Sequence, residues 1–376
     1  MNKEHEDIEK IVPYGEQLRG FANQKFISPA ELHRILKERG VFTLTTEKDY
    51  MVPLLQTLLL SPKEFDKIRE AFSTKEDNNK IISRDIKWNQ DVSIYSSDII
   101  LVDVDNFIKQ KLPTCKLEQP IRFAQVENNP NHLRAEFFIQ RNDINKSWFQ
   151  QTNIFSGSIE FINENNGNGR VIISHTAPET KEIAEYVVKE QIKKYKNKRF
   201  ISETEELKKI IFSDFTNETR FAFFYRLTNH LECDYFRCEN IKDISIRPEE
   251  GCLPQEIKWM EDTNKILLSG NSLDKKNFMK ENKYYKHLIL WNIDASFSYN
   301  YRSESGTVTV SLGFPEYSFG KKENVEFEIN ISTINSSIRI DGRAKQALKK
   351  QLLAEMDRQK SIVYNKFLEY KKTNKE

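Results

Sequence analysis

A chain of 376 residues, 38% of them hydrophobic, is long enough for two or three domains with cores of their own. Its 58 basic and 56 acidic side chains nearly cancel to a formal charge of +2, which excludes a global field as the source of nucleic-acid affinity and leaves only local patches. Four cysteines do not make a disulfide framework, no apolar run approaches the roughly 18 residues of a membrane span, and no charged-then-apolar leader opens the chain, so a cytoplasmic protein without a membrane partner is expected.

Residues up to about Phe26 read as a polar arm or short helix anchored by Ile8, Ile11, Leu18 and Phe21. Two matching helix starts follow, Ser28-Pro29-Ala30-Glu31 and Ser61-Pro62-Lys63-Glu64. Each offers a capping Ser, a Pro suited to the first turn and a Glu able to reach back to the cap nitrogen, which together form a capping box. Leu32, Ile35 and Leu36 share one face of the first helix, and Phe65, Ile68 and Phe72 do the same in the second. Gly40 stops the first helix, Val41 to Thr46 reads as extended, and Met51, Val52, Leu54, Leu55 and Leu58 form an apolar group.

This order, from Glu31-Leu32 through Arg39-Gly40-Val41 and on to Thr46-Glu47-Lys48-Asp49-Tyr50-Met51-Val52, resembles the SAP-type helix-extended-loop-helix motif. The resemblance implies DNA binding, with Lys37, Arg39 and Lys48 approaching the phosphate backbone. The sequence departs from the motif at Thr46, where Gly is usual, at Leu54, where a basic residue is usual, and at Pro53, which would interrupt the second helix unless that helix begins there. The alternative is a capped helical bundle that packs on its neighbour or on a partner protein.

Ser73 to Lys80 is polar enough for a surface loop. Ile99 to Ile108 reads as a short apolar strand ending in Asp103 and Asp105, two hard oxygen donors of the kind that hold Mg²⁺ in phosphoryl-transfer and nuclease sites. It resembles the first motif of haloacid-dehalogenase-like phosphatases and of NYN-type nucleases, although no later strand ends in a matching acid; a solvent-facing strand edge or a helix start at Asp105 is the other reading. Pro113, Pro120 and Pro130 mark the expected boundary between a helical N-terminal domain, 1–112, and an α+β domain, 113–376.

Beyond it Leu133 to Gln140 is strand-like, and Ser156 to Phe161 pairs with Arg170 to Ser174 as a hairpin. Pro178 opens a helix with Ile183, Ala184, Val187, Val188 and Ile192 inside and a basic end, Lys189, Lys193, Lys194, Lys196, Lys198 and Arg199. Those cations could meet phosphates or simply complement the helix dipole. Phe212 to Leu227 reads as aromatic core. His230, Cys233, Cys238 and Cys252, spaced H-x2-C-x4-C-x13-C, could hold a structural Zn²⁺, or be buried thiols beside a surface histidine; no other cofactor is expected. Glu256-Ile257-Lys258 has the acid-x-Lys form found in PD-(D/E)XK nucleases.

Leu288 to Trp291, Phe297 to Tyr301, Thr307 to Leu312, Val325 to Ile331 and Ser337 to Ile340 read as successive strands, with strict alternation in the fourth. A long final helix begins near Asp341, with an apolar seam through Leu348, Leu352, Met356, Val363 and Phe367 and a basic exterior. It could cover the sheet, pair with another chain or lie along nucleic acid. Only 12 glycines and no G-x-x-x-x-G-K-[ST] or G-x-G-x-x-G string leave little room for a nucleotide cradle. The expectation is therefore an α+β protein, a helical N-terminal domain before an antiparallel sheet with flanking helices. In function it would be a non-enzymatic nucleic-acid-binding or assembly component of a bacterial complex, of a defence or mobile-element kind, with DNA the favoured nucleic acid. The alternatives are a metal-dependent nuclease or phosphoesterase using Asp103 and Asp105, and a protein-binding scaffold that associates with itself or others through the final helix.

Overall fold

The computed structural model describes residues 12–373 except 13, 24–28, 46, 66–67, 69–78, 90–92, 96–100, 143–151, 165–166, 250, 252, 262, 264–265, 271–272, 274–278, 280, 320–323, 339 and 341. Expectations placed on Ile8, Ile11, Ser28, Phe72, residues 73–78, Ile99, Ile100 and Cys252 lie outside the described residues.

Three short helices form the N-terminal part, α1 (Gly15–Ala22), α2 (Pro29–Glu38) and α3 (Lys48–Gln56), followed by helical residues 62–65. Leu18, Leu32, Ile35, Leu36, Met51 and Leu55 are fully buried in a core that also takes Phe65 and Ile68. Each such aliphatic side chain, fully removed from water, contributes about 1.5–3 kcal/mol. The α3 helix runs through Pro53, contrary to the expected interruption. Pro53 is exposed, while Met51, Val52 and Leu55 anchor the helix to the core on both sides of it, which offsets the lost backbone donor. At the second helix start the capping box is made: Ser61 N and Oγ donate to Glu64 Oε2 at 2.7 and 2.6 Å, and Glu64 N donates to Ser61 Oγ at 3.4 Å.

The remainder is built on one antiparallel sheet of 11 strands. Its members are β1 (Lys80–Lys87), β3 (Cys115–Leu117), β5 (Ala124–Val126), β6 (Asn129–Asn142), β7 (Thr152–Asn163), β8 (Asn168–His175), β9 (Phe236–Pro248), β10 (Ile266–Ser269), β11 (Leu288–Tyr301), β12 (Glu304–Gly313) and β13 (Glu328–Ser336). They run in the order β10-β9-β11-β12-β13-β1-β8-β7-β6-β3, with β5 also on β6. A separate ribbon pairs β2 (Leu101–Val102) with β4 (Ile121–Arg122). The helices are α4 (Asp105–Lys111), α5 (Pro178–Asn197), α6 (Asn217–Asn229) and the long C-terminal α7 (Gly342–Thr373).

Two stretches of the chain repeat one plan. β6, β7 and β8 form a meander followed by α5, and β11, β12 and β13 form a meander followed by α7. Strand β1 lies between them, antiparallel to both β8 and β13, so those two strands run parallel to each other. Successive strand residues face opposite sides of a sheet. On β1, Arg84 reaches Glu185 of α5, whereas Ser83 reaches Asp357 of α7. The helices therefore cover opposite faces, as a two-fold rotation about an axis along β1 requires. Under α5 lie Leu133, Phe137, Ile159, Phe161 and Ile173; the second apolar face holds Ile244, Ile293, Val310, Leu312 and Ile329. At Gly157, opposite Phe137 in the ladder, a Cβ would stand 2.3 Å from the Phe137 ring, so only glycine leaves room for that ring.

Strand β1 precedes the expected boundary at residue 113 and is nevertheless the middle of the sheet. Its polar centre, Ser83-Arg84-Asp85, hides it from a reading by hydrophobic alternation.

Candidate functional site

The N-terminal module carries the cations singled out for phosphate contact, and two of them are used inside it. Arg39 follows α2, at a turn where Gly40 takes φ of +75° and Val41 N closes back on Leu36 O at 2.8 Å. Its guanidinium donates to Glu64 from Nε at 2.6 Å and from Nη2 at 2.5 Å, and Nη2 also meets Leu59 O at 3.0 Å. Hydrogen bonds from Arg39, then from Ser61, hold the Glu64 carboxyl down at about 2, from an ordinary 4.5. Lys48 Nζ donates to Ala22 O at 3.1 Å, the last carbonyl of α1, where the helix dipole favours a cation. Arg39 and Lys48 thus tie helices together, while Lys37, in the last turn of α2, is exposed.

Among its exposed polar and charged side chains the module also presents several large apolar ones. Residues 41–45 join α2 to α3 with a bend at Leu44 and alternate half-buried and exposed, Phe42 and Leu44 being the exposed ones. Phe42 is 74% exposed and Leu44 wholly so, and Leu59 is 78% exposed. Tyr14, Tyr50 and Leu54 add to them, which makes this small part of the chain rich in exposed large apolar side chains. Single exposed leucines are ordinary, whereas a concentration of them marks an interaction surface.

The other singled-out residues are dispersed. Asp103 Oδ1 accepts from Asp105 N at 3.0 Å, so this pair begins α4 and follows the helix-start reading. At the basic end of α5, Lys194 Nζ donates to Leu101 O at 2.7 Å, Lys196 Nζ to Glu203 O at 2.8 Å, and Lys193 pairs with Glu190 at 2.6 Å. Lys198 caps that helix and Arg199, exposed, turns the chain with φ of +59°. Among the described residues no three His, Cys, Asp or Glu side chains come together as a metal site. His230 caps the end of α6, Cys233 lies in the loop beyond, where burial pushes its thiol up, and Cys238 is on β9. Glu256 and Lys258 lie on a 3-10 turn, Gln255–Met260, with Glu256 facing Lys283 at 3.4 Å. The seam of α7, with Leu352, Leu353 and Met356 at its centre, is buried against the sheet and α6.

Sequence reasoning missed the charged seam on which the two halves meet. The β1–β13 ladder has only two residue pairs, Lys80 with Asn330 and Ile81 with Ile329. Beyond them the strands part, and residues 208–212 fill the gap: Lys208 N and Asp85 N exchange bonds with each other's carbonyls, and Phe327 N reaches Ile210 O. On one face Arg84, 4% exposed, binds Glu326 twice at 2.7 Å and Glu185 at 2.6 Å. Burial works against its charge, but Glu326 and then Glu185 outweigh burial and hold its pKa above the ordinary value. On the other face Lys360 Nζ donates to Asp357 Oδ1 at 2.6 Å and to Ser83 Oγ at 2.8 Å, and Ser83 Oγ donates to Asp357 at 3.0 Å, all buried. Only the contrast between a polar centre and apolar flanks in residues 80–87 signals this seam in the sequence.

The class defined by these features is an α+β protein with a helical N-terminal module, a broad antiparallel sheet covered on opposite faces in its two halves, and a long C-terminal helix. Residues 16–78, which span the module, match the family described as the GAPS4b protein N-terminal domain. A search among curated proteins finds no significant match. Among solved structures, the crystal structure of DynU16, a protein of the dynemicin biosynthetic locus, aligns over 73% of this chain and 94% of its own at 8% identity. Its TM-score of 0.14 carries no argument about fold or function.

Proposed function

We infer that the protein is an assembly component, without a catalytic role of its own, that joins a complex by docking its N-terminal helical module on a partner protein. The observation that supports this reading is the division of roles within the module. Arg39 and Lys48 are engaged by Glu64 and by the Ala22 carbonyl, while Phe42, Leu44 and Leu59 stand in solvent. A DNA-contacting surface would keep its cations outward and its apolar residues inward. The match of residues 16–78 to a family defined as an N-terminal domain supports treating this stretch as a unit.

The test is co-expression with the products of neighbouring genes, purification through a C-terminal tag, and native mass measurement. A stoichiometric complex is expected with the unaltered chain, and its loss with Phe42→Glu/Leu44→Glu at unchanged melting temperature. Both residues are exposed, so the pair of changes leaves the core intact. A complex retained by the double variant, or tight salt-dependent binding to duplex DNA that Lys37→Glu abolishes, would overturn the reading.

A further inference from the structure

We draw no further inference here: the strongest candidate, the carboxylates Asp243 and Asp294 paired across β9 and β11 with Asn292 and Ser311 beside them, is an acidic cluster with no second observation that points to a ligand.

Discussion

Arg84 on the middle strand of the sheet grips Glu326, just ahead of β13, through two hydrogen bonds of 2.7 Å, spanning the gap where β1 and β13 part. The same guanidinium holds Glu185 of α5 at 2.6 Å. One side chain thus connects both halves of the sheet and a covering helix, where the backbone ladder has only two residue pairs. Here the charged contact acts beside the main-chain bonds that residues 208–212 make to Asp85 and Phe327.

Arg84→Met should destabilise the protein by about 3–5 kcal/mol, because it leaves the buried Glu326 without its cation. Denaturant unfolding measures this. Adding Glu326→Leu to Arg84→Met should recover part of the loss, since an apolar pair removes the orphaned carboxylate as well.

On the opposite face, Lys360→Met should cost a comparable amount, about 3–5 kcal/mol, by stranding Asp357 in a site that is 1% exposed. Lys360→Met/Asp357→Leu should be more stable than Lys360→Met alone. Equal stability of the single and double variants in thermal unfolding would contradict the assignment of the pair as a coupled tie.

Much of the architecture was legible. The capped start at Ser61, the helix from Pro178 and the long final helix carry local signals of period and cap and are present, and of the alternating stretch Val325 to Ile331 residues 328–331 lie on β13. The central strand was not, because alternation marks a strand with one wet face, whereas β1 is covered on both sides and places Arg84 and Ser83 against partners more than 100 and 270 positions away. The roles of Arg39 and Lys48 were hidden for the same reason. A cation with a carboxylate 25 residues on reads from sequence like a cation in solvent. The exposed Phe42 and Leu44 likewise looked like ordinary members of an extended stretch.

The module should weaken in acid. Glu64 is held at about 2 by Arg39 and Ser61, below its ordinary 4.5, so the stability it contributes is present above about 4.5 and is lost as pH falls towards 2. Glu64→Gln should flatten this dependence. Tryptophan is absent from residues 15–68, so tyrosine signals or amide exchange of α2 between pH 5 and pH 2.5 provide the readout. A glutamine variant with the same acid sensitivity as the parent would show that another group sets it.

The central claim, that the N-terminal module docks on protein through an apolar surface, is tested most directly by asking what touches Leu44. A photoreactive phenylalanine analogue at position 44, illuminated in cells that co-express the neighbouring genes, should give one discrete protein adduct. That adduct should disappear when Phe42→Glu is added, and the same analogue at Ile338, an exposed apolar position outside the module, should not give it. An adduct with DNA at position 44, or an identical pattern from positions 44 and 338, would contradict the account.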